Sequence, residues 1–424
     1  MTSQRKPIVL SVALVLLTNF TIKASDWPTF RGPDRTGVST ETGLLKTWPT
    51  EGPPLVWKSV GVGRGYSSLA IKNGKIFTLG DGTTADDPDE YLLAFDQKTG
   101  DLLWKTRTGA PWAEGNANWQ SSRSTPSTDG TLVYVVTPHG LLVACDVTTG
   151  KEVWRADFKA DFAGTKGDRW GYSESPLIDG DKLICTPGGE TATIVAFNKT
   201  NGEMIWKATQ PETRGAGHSS IVITEIGGQR VYVQLTASGA IGLRAKDGTV
   251  LWNYPIEKTT AVIPTPIVKD DLIFIAAGYK RGGALIRQVP KADGLIEVEE
   301  IFPMKTELCN KHGGVVRVGD YIYADSDDQG IPYCARLLDG EIQWKERGSG
   351  KNSAAMSAAD GHLYIHFADG RMVLAKADPT GYTEVGSFEI PGTGERPSWS
   401  HPVISDGKLY LRENNAIFCY NVKE

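Results

Sequence analysis

Glycine precedes tryptophan by four residues at five places whose preceding residues also match. They are Ala94-Phe95-Asp96 to Gly100 and Trp104, Ala144-Cys145-Asp146 to Gly150 and Trp154, Ala196-Phe197-Asn198 to Gly202 and Trp206, Gly242-Leu243-Arg244 to Gly248 and Trp252, and Cys334-Ala335-Arg336 to Gly340 and Trp344. With 48 glycines and 12 tryptophans in 424 positions, shuffling predicts about 1.4 such pairs. The sequence holds a sixth, Gly115 to Trp119, but it is out of phase and lacks the preceding apolar run. Each in-phase copy reads as a β-hairpin: an apolar strand, a polar turn whose glycine takes a positive φ, and a second strand. The tryptophan falls on the same strand face as the glycine because side chains alternate with period two. A large ring at one place in every unit suits packing between neighbouring sheets.

A second element precedes each hairpin, a small-residue stretch followed by strand, turn and strand. Its copies begin near Gly65, Ser121, Gly171, Gly217, Ala261, Lys311, Asn352 and Pro397, with spacings of 41 to 56 residues. That period is the one expected of four-stranded blades, and the copies predict an all-β, eight-bladed propeller of antiparallel sheets. The last copy ends one strand short. The segment from Pro54 to Val60, carrying Trp57, supplies a fourth strand that closes the ring and leaves no open edge. Trp57, Trp104, Trp154, Trp206, Trp252 and Trp344 are thus expected to be structural. Two hairpins, Gly283 to Pro303 and Arg371 to Pro391, lack the tryptophan, so blades five and seven are expected to be the least regular.

The start of the chain has a different character. Arg5 and Lys6 precede an apolar run from Ile8 to Leu17, and Ile22 and Ala24 stand at the positions of a cleavage site. This is the pattern of a signal peptide, too short to span a bilayer. The expected organisation is a signal at 1–24, an N-terminal strap at 25–53 and a propeller at 54–424, giving a soluble periplasmic or secreted protein. No cysteine follows the apolar run, so no lipid anchor is implied. Losing residues 1–24 removes three positive charges from a net charge of −5. A chain so acidic suits neither nucleic acid nor an anionic membrane. Five cysteines follow the signal, and there is no C-x-x-C. Cys145 and Cys419 lie in strand-like runs and read as core residues, while the sequence leaves open a disulfide between Cys309 and Cys334.

The Ala-x-Asp-x-x-Thr-Gly-x-x-x-Trp repeats resemble the pyrroloquinoline-quinone (PQQ) repeat superfamily, over nearly all of the chain after the signal. That superfamily includes PQQ-dependent alcohol dehydrogenases and the propeller subunit of the outer-membrane protein assembly machinery. The resemblance implies the fold; activity resides in whatever site is grafted on it. Features that the resemblance leads one to seek in the dehydrogenases, above all a pair of adjacent cysteines, are missing, and no catalytic residue carries over. The segment Asp26 to Val38 (DWPTFRGPDRTGV) is similar to the N-terminus of secreted PQQ-repeat proteins and reads as a strap packed on the propeller.

Polar residues at the starts of the innermost strands point toward the central channel: Tyr66, Arg123, Glu174, His218, Lys311, His312 and His401. Three of the six histidines of the chain are in this set. Arg123, Lys311 and the histidines suit a small anionic ligand; the alternative is that the set satisfies itself and channel water. No metal site is expected, because alternate blades hold the imidazoles apart. Trp112, Trp119 and Trp170 lie in the long connections into blades two and three. They read equally as a rim for recognising a sugar or protein and as lids folded onto the blades. The expectation is an exported, non-catalytic binding or scaffolding propeller with a protein or carbohydrate partner at one rim. The alternative is a reduced quinoprotein oxidising an alcohol or sugar with PQQ and a divalent cation.

Overall fold

The computed structural model describes residues 26–82, 87–394 and 396–424; the expected signal segment lies outside them. Within these residues the strands form eight sheets, each built on four antiparallel strands, with a short fifth strand, Val38–Ser39, added in parallel to one of them. Blades 1 to 7 follow the chain at 70–109, 127–157, 177–208, 222–255, 267–305, 316–345 and 354–389. Blade 8 combines 403–421 with the strand Leu55–Val60, which pairs antiparallel with Ala416–Asn421. The ring therefore closes through the N-terminal strand.

The glycine and tryptophan of one repeat serve different interfaces. Trp57, Trp104, Trp154 and Trp206 each lie over the turn glycine of the next blade: a Cβ on Gly150 would come within 2.6 Å of Trp104, and one on Gly202 within 2.6 Å of Trp154. Both glycines also take positive φ, so any larger residue there would be strained and would collide. The indole N–H donates to the same neighbouring turn, Trp104 to Val147 O at 3.2 Å and Trp154 to Lys199 O at 2.9 Å. Trp57 and Trp344 repeat the bond to Gln97 O and Asp378 O. Trp252 instead donates to the Gln288 side chain of blade 5, whose turn glycine, Gly294, has no ring packed on it. In blade 5, Phe302 replaces the tryptophan and underlies Gly340. All five cysteines are buried free thiols, Cys309 and Cys334 included.

Hydroxyls clip the inner strands together. Ser68 N–H donates to Thr125 Oγ1, Thr125 N–H to Ser175 Oγ and Ser175 N–H to Ser220 Oγ, at 3.0 to 3.2 Å. These bonds link blades 1 to 4 around the channel and pair backbone N–H groups that have no neighbouring strand beside them.

Residues 26–53 cross the end of the channel where the inner hairpins turn. Trp27 bridges Ile71 of blade 1, Val38–Ser39 pairs in parallel with the inner strand of blade 7, and Leu45 N–H donates to Val422 O. Between these contacts two fully buried arginines reach into the channel. Arg31 donates to Gly313 O at 2.6 Å and to Val315 O, both entering blade 6. Arg35 donates to Ser175 O at 2.9 Å, Ile221 O at 3.1 Å and Pro176 O, at blades 3 and 4. Burial lowers both guanidinium groups to about 10, so they remain charged at neutral pH, with carbonyl dipoles as counter-charge. The strap is a plug tied across the ring.

Candidate functional site

The opposite end of the channel, where the inner strands begin, holds a cavity of about 760 Å³. Its floor includes Phe30 of the strap, packed edge-on against His401 at 4.7 Å. Of the residues expected at the channel, Tyr66, Arg123, His218, Lys311, His312 and His401 all line this cavity. Glu174 does not. Its neighbours Ser173 and Ser175 face the cavity, whereas Glu174, in the segment leading into the strand Leu177–Asp179, is buried away from it. There it accepts from Thr186 N–H at 2.7 Å, Thr186 Oγ1 at 2.9 Å and Gln234 Nε2 at 3.1 Å. Burial pushes this carboxyl up to about 7.

The long connections supply the mouth. Trp119 and Trp170 meet at right angles, 5.9 Å apart, and the exposed Arg169 lies 5.5 and 5.8 Å from their rings. Trp112 is buried and packs on His139, so it belongs to the wall behind the mouth rather than to an exposed rim. Arg123 is held by the carbonyls of Trp119, Ser121 and Trp170, with Tyr66 beneath it. Trp399 is sandwiched between Tyr66 at 4.6 Å and His312 at 4.7 Å.

One loop residue missing from the sequence expectation organises much of the wall. Asp168 accepts from His218 Nε2 at 2.8 Å and from Trp170 N–H at 3.0 Å, and Lys166 lies 3.8 Å away. The other ring nitrogen of His218 faces the Ser173 hydroxyl. Burial raises the Asp168 carboxyl, but His218 and Lys166 outweigh it and hold it below its usual range. Burial lowers all three cavity histidines, His401 to about 3. His312 and His401 are therefore neutral at physiological pH and bring no positive charge to an anion. The charge comes instead from Arg123, Lys166, Arg169 and Lys311, against the single carboxylate Asp168. Lys311 is itself bound to Asp328 at 2.6 and 2.7 Å. Lys166, Asp168 and Arg169 lie in a Gly/Lys/Asp stretch that reads as an ordinary solvated loop, so sequence offered no signal for them.

A family profile described as outer membrane protein assembly factor BamB matches residues 88–346, well over half of the chain. The chain belongs to the BamB family. A BamB of Bordetella pertussis is 24% identical over 386 residues, covering 86% of this chain and 87% of the relative. A BamB of Yersinia pestis is 24% identical over 65% of this chain and 68% of its own. Among solved structures, BamB from Moraxella catarrhalis aligns with a TM-score of 0.59 at 16% identity, over 87% of this chain and 98% of that one. A europium-containing methanol dehydrogenase aligns at 0.65 with 14% identity, over 91% and 89%. At these identities the structural likeness carries the fold alone.

That dehydrogenase likeness prompts a test of the cavity against PQQ and a divalent cation. The donor set does not fit. A hard cation takes six or more oxygen ligands, several of them carboxylate, whereas the one carboxylate here is already committed to His218 and Lys166. No group of three His, Cys, Asp or Glu able to hold a metal occurs among the described residues. Nor is there any pair of adjacent cysteines in the sequence.

Proposed function

We propose that this BamB-family chain is an exported binding and scaffolding propeller, and that its recognition site is the cavity at the open end of the channel. There it receives an anionic group of its ligand or partner. The observation that carries this reading is the local inversion of charge: four cations and one carboxylate line a partly enclosed space in a chain whose net charge is −5. Low-dielectric walls focus such a field on an entering anion. The exposed guanidinium of Arg169 has no ion pair among the described residues and is free for bidentate contact. Export rests on the N-terminal pattern; among the described residues no helix is long and apolar enough to cross a membrane.

Calorimetric titration of the chain lacking residues 1–24 with citrate and with galacturonate, at low and high salt, tests the reading. Saturable binding that weakens with salt and is lost in Arg169→Ala/Lys166→Ala supports it; no heat with either anion overturns it.

A second reading, acyl transfer, has one observation in its favour: the order Ser173 hydroxyl, His218 imidazole, Asp168 carboxylate is that of a nucleophile, its base and the group that orients the base. Labelling of Ser173 by a fluorophosphonate, abolished in His218→Gln, is its expected result. An unlabelled chain leaves the three as a polar chain in the cavity wall.

A further inference from the structure

A second basin of about 530 Å³ opens beside the cavity, and Trp119, Lys311 and Trp399 line both. Each volume lies in the range of about 300–1,000 Å³ that encloses a small ligand, so together they accommodate a longer molecule that crosses the shared wall. The two basins differ in charge. The cavity has its excess of cations, whereas in the second basin Lys311 and Arg396 are matched by Asp328 and Asp369. The second basin is also rich in polar groups with capacity to spare. Within the described residues the exposed Asn118 and Asn352 side chains make no hydrogen bond, and the Asp369 carboxylate accepts only from Arg371 N–H, at 3.2 Å. Planar amides and carboxylates offer paired donors and acceptors of the kind that vicinal hydroxyls need. The apolar lining there is two indoles, Trp119 and Trp399, with only Ala368 and Pro397 besides, and the aliphatic part is too small for the branched side chain of a peptide anchor. At the shared wall Trp399 is packed by His312, stacked on it at 4.7 Å, and by Tyr66, tilted against it at 4.6 Å.

We infer that the ligand is an acidic oligosaccharide, with its acid group in the cavity and neutral sugar hydroxyls in the second basin. This rests on the reading of the cavity as an anion-recognition site and adds the chemical class and length of what binds there.

The test compares galacturonate, hexagalacturonate, a sulfated hexasaccharide with its neutral parent, and a hexapeptide of glutamate, each titrated into the chain lacking residues 1–24. The expected result is that hexagalacturonate binds at least tenfold more tightly than galacturonate, and the sulfated chain more tightly than its neutral parent if sulfate serves as the acid. Asn118→Ala/Asn352→Gly is expected to reduce the affinity for the hexamer to that of the monomer and to leave the monomer unchanged. Asn352 already has a positive φ of 62°, so glycine there preserves the backbone. A hexamer that binds no more tightly than the monomer overturns the inference while leaving the cavity reading intact. Failure of every anion removes both. Equal affinity for the glutamate hexapeptide overturns the sugar class.

Discussion

The two ends of the channel use the same residue types to opposite effect. At the plugged end, Arg31 and Arg35 are fully buried and have carbonyl oxygens from three blades around them. At the open end, Arg123, Lys166 and Arg169 border about 760 Å³ of free space. A cation surrounded by carbonyls holds strands together; one left facing a cavity is a site for an anion. Arg123 lies between these cases, because three carbonyls hold it and yet it lines the cavity.

The contrast can be broken most severely at the plug. Arg35→Ala or Arg31→Ala strands several buried carbonyls, and each is expected to cost about 3–5 kcal/mol in urea denaturation. A loss of under about 1 kcal/mol would mean that the strap is dispensable. Glu174 offers a sharper, pH-resolved measurement on the far side of the same inner strand. Unfolded, it ionises above 4.5, whereas folded it keeps its proton up to about 7. The folded state therefore binds more protons across that window, and this group makes stability fall as pH rises, by up to about 1.4 kcal/mol per unit. Compared with wild type, Glu174→Gln is expected to match it near pH 4.5 and to exceed it above pH 7, as read from paired melts. Arg123→Met should show both behaviours, with about 1–3 kcal/mol of stability lost together with anion binding. The smallest structural effect is expected for Arg169→Ala, whose melting temperature should stay at the wild-type value while its affinity for galacturonate falls at least tenfold. If instead the melt shifts and binding does not, the division between the two ends fails.

The architecture was legible because each blade repeats one packing problem, and the glycine and the indole that solve it lie four residues apart. What the spacing could not reveal is that the two contact different blades, since that relation exists only once the ring is formed. The channel set was legible in so far as inner strands begin there, and Glu174 shows the limit. Next to Ser173 and Ser175 in sequence, it turns instead to Thr186 and Gln234 in the segment just before the strand Leu177–Asp179, and which way each residue of such a lead-in faces cannot be read from a single polar stretch. Lys166, Asp168 and Arg169 were illegible for another reason: loop residues acquire a partner only when the fold brings His218 beside them. The strap was legible as a strap, but its arginines, which look like ordinary surface charges, gave no sign that they were buried.

Closure through Leu55–Val60 also has a meaning in time. The plug and the strand that completes the last blade are both made before their partners, so the plug must wait until residues near 359 exist and the strand until residues near 420 exist. Blades 1 to 6 can form from local contacts as the chain lengthens, whereas the seam and the plug depend on the longest sequence separations in the molecule and belong to the slow end of folding. The waiting strand is an unpaired edge throughout that interval. A chain cut short before blade 8 would therefore lack more than one blade: its ring would be open at the seam, and the strand Leu55–Val60 would be free to pair with another molecule.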